Sequence, residues 1–148
     1  MLQAQYRNLL QHPDISFDQP ATGAYIEVRD AATHDTLAWV KSYDRAAVEQ
    51  MIARSQQAQT SWKAKTALER ADVLWAWFNL IQENKESLAQ ILTAEQGKPL
   101  VEARGEIGYA ASFIRWFAEQ ARRTDGEILT PTVANQRLLV IKQAIGVT

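Results

Sequence analysis

The sequence predicts an α/β segment, mostly helical, with a short early β-hairpin and one strand near its end. Two β-rich runs stand close together, AYIEVRD at residues 24–30 and TLAWVK at residues 36–41. From residue 45 to about residue 123, apolar residues recur at spacings of three and four, interrupted by capping residues and a glycine. A last β-prone run, RLLVIK, follows Gly126 and Pro131.

Residues 2–11 read as a short helix, and residues 12–23, with Pro13, Pro20 and several turn formers, as a loop. The two β-rich runs are separated only by AATHD, which suggests an antiparallel hairpin. Asp44 is placed to cap a helix reaching about Trp62, in which Ala47, Val48, Met51, Ile52, Ser55 and Ala58 form one apolar face. Thr66 and Glu69 have the T-x-x-E spacing in which each side chain satisfies the other's free backbone donor, so a second helix starts there and runs to about Glu83. Its inward stripe is Leu68, Ala71, Leu74 or Trp75, Phe78 and Ile81, and Trp77 and Leu80 imply that more than one face is covered. Asn84 is a candidate cap for a third helix carrying Leu88, Ile91 and Leu92, and Gly97 can end it in a left-handed backbone conformation. Pro99 suits the first turn of a fourth helix, reaching about Arg123, with Ile107, Ala110, Ala111, Ile114, Phe117 and Ala118 on one stripe.

Composition narrows the function classes. With 47% hydrophobic and 22% charged residues, the chain of 148 residues has the balance of a globular segment and not of a disordered one. Its formal net charge of -1 gives no broad electrostatic case for nucleic acid or an anionic membrane. The first residues lack the basic start and apolar run of a signal peptide, and no segment has the ~18 apolar residues of a membrane span, so the cytoplasm is the expected compartment. There is no cysteine, which removes thiolate catalysis, disulfides and cysteine-based zinc sites.

No G-x-G-x-x-G, P-loop, G-x-S-x-G or HExxH occurs, and the pattern alone names no reaction. His12 and His34 fall in loops, without triad or metal-ligand spacing, and are expected at the surface. Lys98 reads as an exposed lysine at a helix junction, four residues before Glu102 and able to form a weak charge pair with it. Glu95, Glu102 and Glu106 are close in sequence, but their spacing defines no acid/base pair across a cleft. Tyr109, Phe113, Trp116 and Phe117 form an aromatic stripe that by spacing alone reads as helix packing.

SQQAQTSWKAKTALERADVLWAWFNLI at residues 55–81, EQGKP at residues 95–99 and GYAASFIRWFAEQ at residues 108–120 occur in this order. Together they make residues 30–148 resemble the N-terminal part of NAD(P)-dependent aldehyde dehydrogenases, nearest the bacterial succinate-semialdehyde branch. Where that family usually has Asn-Pro and a Thr-Gly type turn, this chain has Asp30-Ala31-Ala32-Thr33-His34-Asp35, with His34 where glycine commonly relieves the backbone.

The resemblance implies that residues 1–124 are the N-terminal part of a coenzyme-binding domain and residues 125–148 the truncated start of an oligomerisation-domain strand region. It implies an enzyme in which a cysteine thiolate attacks an aldehyde, hydride passes to NAD or NADP, and a glutamate assists hydrolysis of the thioester. The family's cysteine, base glutamate, oxyanion asparagine and main cofactor-binding residues would all lie after Thr148, so no catalytic or cofactor-binding residue is assigned here and the chain is expected to be an inactive fragment. Glu95 matches the family's acidic ligand for a structural monovalent cation, and an ordinary helix-end carboxylate is the competing reading. Tyr109 and Phe113 match the helix bordering the substrate tunnel.

Three functions stay open at this point. The first is a fragment of an enzyme oxidising succinate semialdehyde to succinate in 4-aminobutyrate degradation. The second is a relative acting on another semialdehyde, such as glutarate semialdehyde. The third is a truncated, non-catalytic interaction protein. A small aldehyde substrate and a homo-oligomer are the partners implied for the full-length protein, and the unpaired RLLVIK edge predicts that the isolated chain self-associates.

Overall fold

The computed structural model describes residues 4–148. A helical turn, α1 (Ala4–Arg7), continues as a 3-10 turn over Asn8–Leu10, which agrees with the expected short helix. Residues 2 and 3 of that expectation lie outside the described residues.

The predicted hairpin is present as β2 (Tyr25–Arg29) and β3 (Thr36–Lys41), antiparallel with Ile26 opposite Val40 and Val28 opposite Ala38. The expected loop over residues 12–23 is corrected by a two-residue strand, β1 (Ile15–Ser16), which pairs with Val40 and Trp39 on the other edge of β3. Pairing there satisfies backbone groups that a two-stranded hairpin leaves open, including Lys41 N–H, which donates to Asp14 O at 2.8 Å. The connection between β2 and β3 folds back on Asp30, whose Oδ1 accepts from the N–H groups of Ala32 (2.9 Å) and Thr33 (3.0 Å). The turn closes through His34, at φ 63°, a left-handed conformation for a residue with a Cβ.

Asp44 caps α2 (Arg45–Ala64) as its sequence position implies, accepting from Ala47 N–H at 2.8 Å. The apolar face expected of this helix is uncovered, however. None of its residues is buried, and Val48 and Ile52 are 44% and 50% exposed, because α2 makes only scattered contacts with the other described elements.

Helix α3 (Ala67–Glu83) starts with the complete reciprocal cap, Glu69 N–H donating to Thr66 Oγ1 and Thr66 N–H to Glu69 Oε2 at 3.2 and 2.7 Å. Helix α4 (Lys85–Gln96) follows after Asn84. Asn84 does not cap it: its Nδ2 donates backward to Leu80 O at 2.8 Å, closing α3 instead. Gly97 ends α4 at φ 74°, its N–H donating to Thr93 O, and a Cβ there would stand 3.1 Å from that of Ala31. Pro99 sits one position before α5 (Leu100–Gln120), extended at ψ 136°, and a 3-10 turn over Ala121–Arg123 completes the segment.

Helix α5 packs on both α3 and α4, and the contacts are made with alanine. Ala89, Ala103, Ala111 and Ala118 are completely buried and Ala71 nearly so, while among the described residues no large side chain is fully enclosed. The small side chains let the helix backbones come close, and Ile107, Ile114, Leu74, Trp75, Phe78 and Ile81 flank the seam half-buried. Trp75 and Phe78 meet edge to face at 5.5 Å. The wider coverage expected for α3 is not found: Leu68, Trp77 and Leu80 are all more than half exposed, as is Phe117 on α5. A seam one alanine wide cannot reach side chains on the far side of either helix. The three-stranded sheet is tied to this body through Ala31 N–H, which donates to Ala94 O at 2.9 Å.

The RLLVIK run contains β5 (Leu138–Val140), shorter than expected. It is not unpaired on both sides, because a strand the sequence did not reveal, β4 (Glu127–Leu129), runs antiparallel to it with Glu127 opposite Val140. Gly126 makes this ribbon possible, since a Cβ there would lie 2.3 Å from Val140 O. Every residue of both strands is exposed.

Candidate functional site

Tyr109 and Phe113, one turn apart on α5, touch edge to face with ring centres 4.9 Å apart. They are 66% and 47% exposed, and Trp116 and Phe117 beside them 57% and 58%. At ~100° per residue Tyr109, Phe113 and Trp116 point away from the side carrying Ala103, Ala111 and Ala118, while Phe117 stands at its flank. The stripe that spacing alone assigned to helix packing therefore stands open in this chain. These rings present an exposed aromatic face.

Glu95 is exposed near the end of α4. Among the described residues no group of three or more His, Asp or Glu is arranged to hold a metal ion. Glu95 thus offers a single carboxylate, and backbone carbonyls would have to supply any other ligands to a hard cation. Its neighbourhood includes the hairpin turn, through the Ala31–Ala94 bond.

Lys98 differs from its sequence reading in both respects. Its side chain is half-buried, 30% exposed, and it pairs with Glu106 and not with Glu102. The reason is that Lys98 precedes α5, so the four-residue rule for pairs within a helix does not apply and the long side chain runs along the first two turns. His12 and His34 are exposed, as expected; His12 Nδ1 accepts from Asp14 N–H at 3.2 Å.

Sequence reasoning missed one polar cluster. Arg104 on α5 donates twice to Glu86 on α4, at 2.7 and 2.8 Å, and Gln90 Nε2 donates to the same carboxylate at 2.9 Å. Gln90 in turn accepts from the hydroxyl of Tyr6, the one buried tyrosine, so the cluster joins α1, α4 and α5. The bonds from Arg104, then from Gln90, hold the Glu86 carboxyl down at about 2. This fork is a clamp between helices, with the Glu86 carboxylate held by Arg104 and Gln90 together.

The junction of the hairpin with the first long helix is not a dinucleotide cradle. The junction from β3 to α2 is Ser42-Tyr43-Asp44, without glycine, and the Asp44 carboxylate already occupies the helix N-terminus where a phosphate would sit. The surface concavities are shallow, the one of about 520 Å³ being lined by Arg7, Leu10, His12, Ile15 and Phe17 and not by Tyr109 or Phe113. No reaction step can be built on these side chains alone.

Comparison with known proteins accounts for this combination. The aldehyde dehydrogenase family pattern matches residues 17–148. Among curated relatives, a 3-sulfolactaldehyde dehydrogenase of Pseudomonas putida is 46% identical over 127 residues, covering 86% of this chain and 26% of its own length. A succinate-semialdehyde dehydrogenase (NADP+) of Escherichia coli K12 and a glutarate-semialdehyde dehydrogenase of Pseudomonas putida are 47% and 46% identical over 126 residues, each covering 85% of this chain and 26% of the relative. The crystal structure of succinate-semialdehyde dehydrogenase from Burkholderia pseudomallei superposes with a TM-score of 0.79 at 49% identity, over 83% of this chain and 26% of that one. The chain thus spans about a quarter of the length of its relatives. Sequence pattern and backbone each match over most of the chain, and the chain belongs to the aldehyde dehydrogenase family.

Proposed function

We propose that this chain is the N-terminal part of a longer NAD(P)-dependent enzyme that oxidises succinate semialdehyde to succinate, in 4-aminobutyrate degradation. Residues 1–124 then belong to the coenzyme-binding domain and residues 125–148 begin the oligomerisation ribbon. One observation supports the part of this reading that makes the chain a segment of a longer protein: it exposes far more surface than its mass accounts for. Its accessible surface is 11262 Å², whereas a compact monomer of 16.7 kDa exposes about 7,600 Å². The excess includes the aromatic wall of α5 and the outer face of α3, and further polypeptide is the natural cover for both.

In this reading the thiolate, the hydrolytic base and the cofactor contacts come from residues beyond Thr148, consistent with a chain that contains no cysteine. The parts contributed here are a tunnel wall and a scaffold. Tyr109 and Phe113 line the aldehyde's path. In the complete enzyme, Tyr109→Ala or Phe113→Ala changes the ratio of kcat/KM between succinate semialdehyde and a longer aldehyde by about tenfold. Aldehyde preference is expected to change more than the unfolding midpoint, since a wall residue faces the channel and not a packed neighbour on its substrate side. Equal kinetics across aldehydes would exclude the lining role.

Glu95 contributes a ligand to a structural monovalent cation. Glu95→Gln in the complete enzyme abolishes the dependence of thermal stability on potassium or sodium, and an undiminished response would remove the assignment. The cytoplasm and a homo-oligomeric assembly complete the proposal.

Steady-state assay of the complete enzyme with succinate semialdehyde, glutarate semialdehyde and 3-sulfolactaldehyde tests the substrate. The highest kcat/KM is expected with succinate semialdehyde. A clear preference for glutarate semialdehyde would favour the alternative, which the similar identities of the curated relatives keep in view. Dehydrogenase turnover by the 148-residue chain alone would overturn the division of labour itself.

A further inference from the structure

We draw no further inference here: the strongest candidate, the exposed aromatic wall of Tyr109, Phe113, Trp116 and Phe117 along α5, belongs in part to the tunnel already proposed, and nothing in the structure shows what covers the rest of that apolar face.

Discussion

At the scale of single residues, His34 is the clearest mismatch between side chain and backbone. Its φ of 63° places a Cβ-bearing residue in the left-handed region, at a cost of about 1–2 kcal/mol. Asp30 maintains the turn around it: two backbone N–H donors, from Thr33 and then Ala32, hold its carboxyl below the usual range, and His34 N–H donates to Asp30 O. Replacing His34 by glycine removes the steric cost but returns about 0.4–1 kcal/mol of chain entropy to the unfolded state. The expected net result is a stabilisation of about 0.5–1 kcal/mol, measured as the shift in denaturant midpoint at unchanged slope. A loss of stability in His34→Gly would mean that the imidazole makes an interaction outweighing the strain. This position was legible through the family resemblance, which commonly has glycine where this chain has His34, and the positive φ found there agrees with it.

At the scale of elements, legibility divides along the same line. The Thr66–Glu69 cap, the Asp44 cap and the Gly97 stop were all readable, since each involves groups within four residues of one another. Strands β1 and β4 were not, because two or three residues are too few to show an alternating pattern. Asn84 had two helix ends within reach and satisfied the carbonyl of the earlier one. The Glu86–Arg104 fork was invisible because its members are 18 residues apart and meet only after α4 and α5 have packed. That fork makes a pH prediction. The Glu86 carboxyl is held at about 2, below its ordinary 4.5, so its contribution to stability is fully present above 4.5 and disappears as pH falls toward 2. Compared with Glu86→Gln, the parent chain is expected to be the more stable at about pH 6, with the two unfolding midpoints converging as the carboxylate protonates on the way to about pH 2.5. A gap that persists unchanged through this range would show that the fork does not titrate with folding.

At the scale of the whole molecule, the family was legible and the coverage was not. Periodicity identifies which side of a helix is apolar, but it carries no information about whether the partner for that side is present. For this reason α2, Trp77, Leu80 and the aromatic series of α5 were expected to be packed and are exposed. The candidate tunnel residues were found by family resemblance; their mutual contact is a product of helix geometry. Uncovered faces and the open outer edge of the β4–β5 ribbon together predict that the isolated chain associates with itself. Size-exclusion chromatography with light scattering should give a mass rising with concentration, and a constant monomer mass across a wide range would contradict it.

The uncovered α5 wall also has a consequence in time. If the proposed enzyme has the length of its Escherichia coli relative, of which 126 residues are 26%, about 340 residues remain to be synthesised after this segment, which takes roughly 20 to 70 s at the usual rates of translation. Throughout that interval Tyr109, Phe113, Trp116 and Phe117 stand in water on a body whose alanine seam is already able to form. Until its cover is made, this aromatic surface is the part of the nascent chain most open to non-specific association.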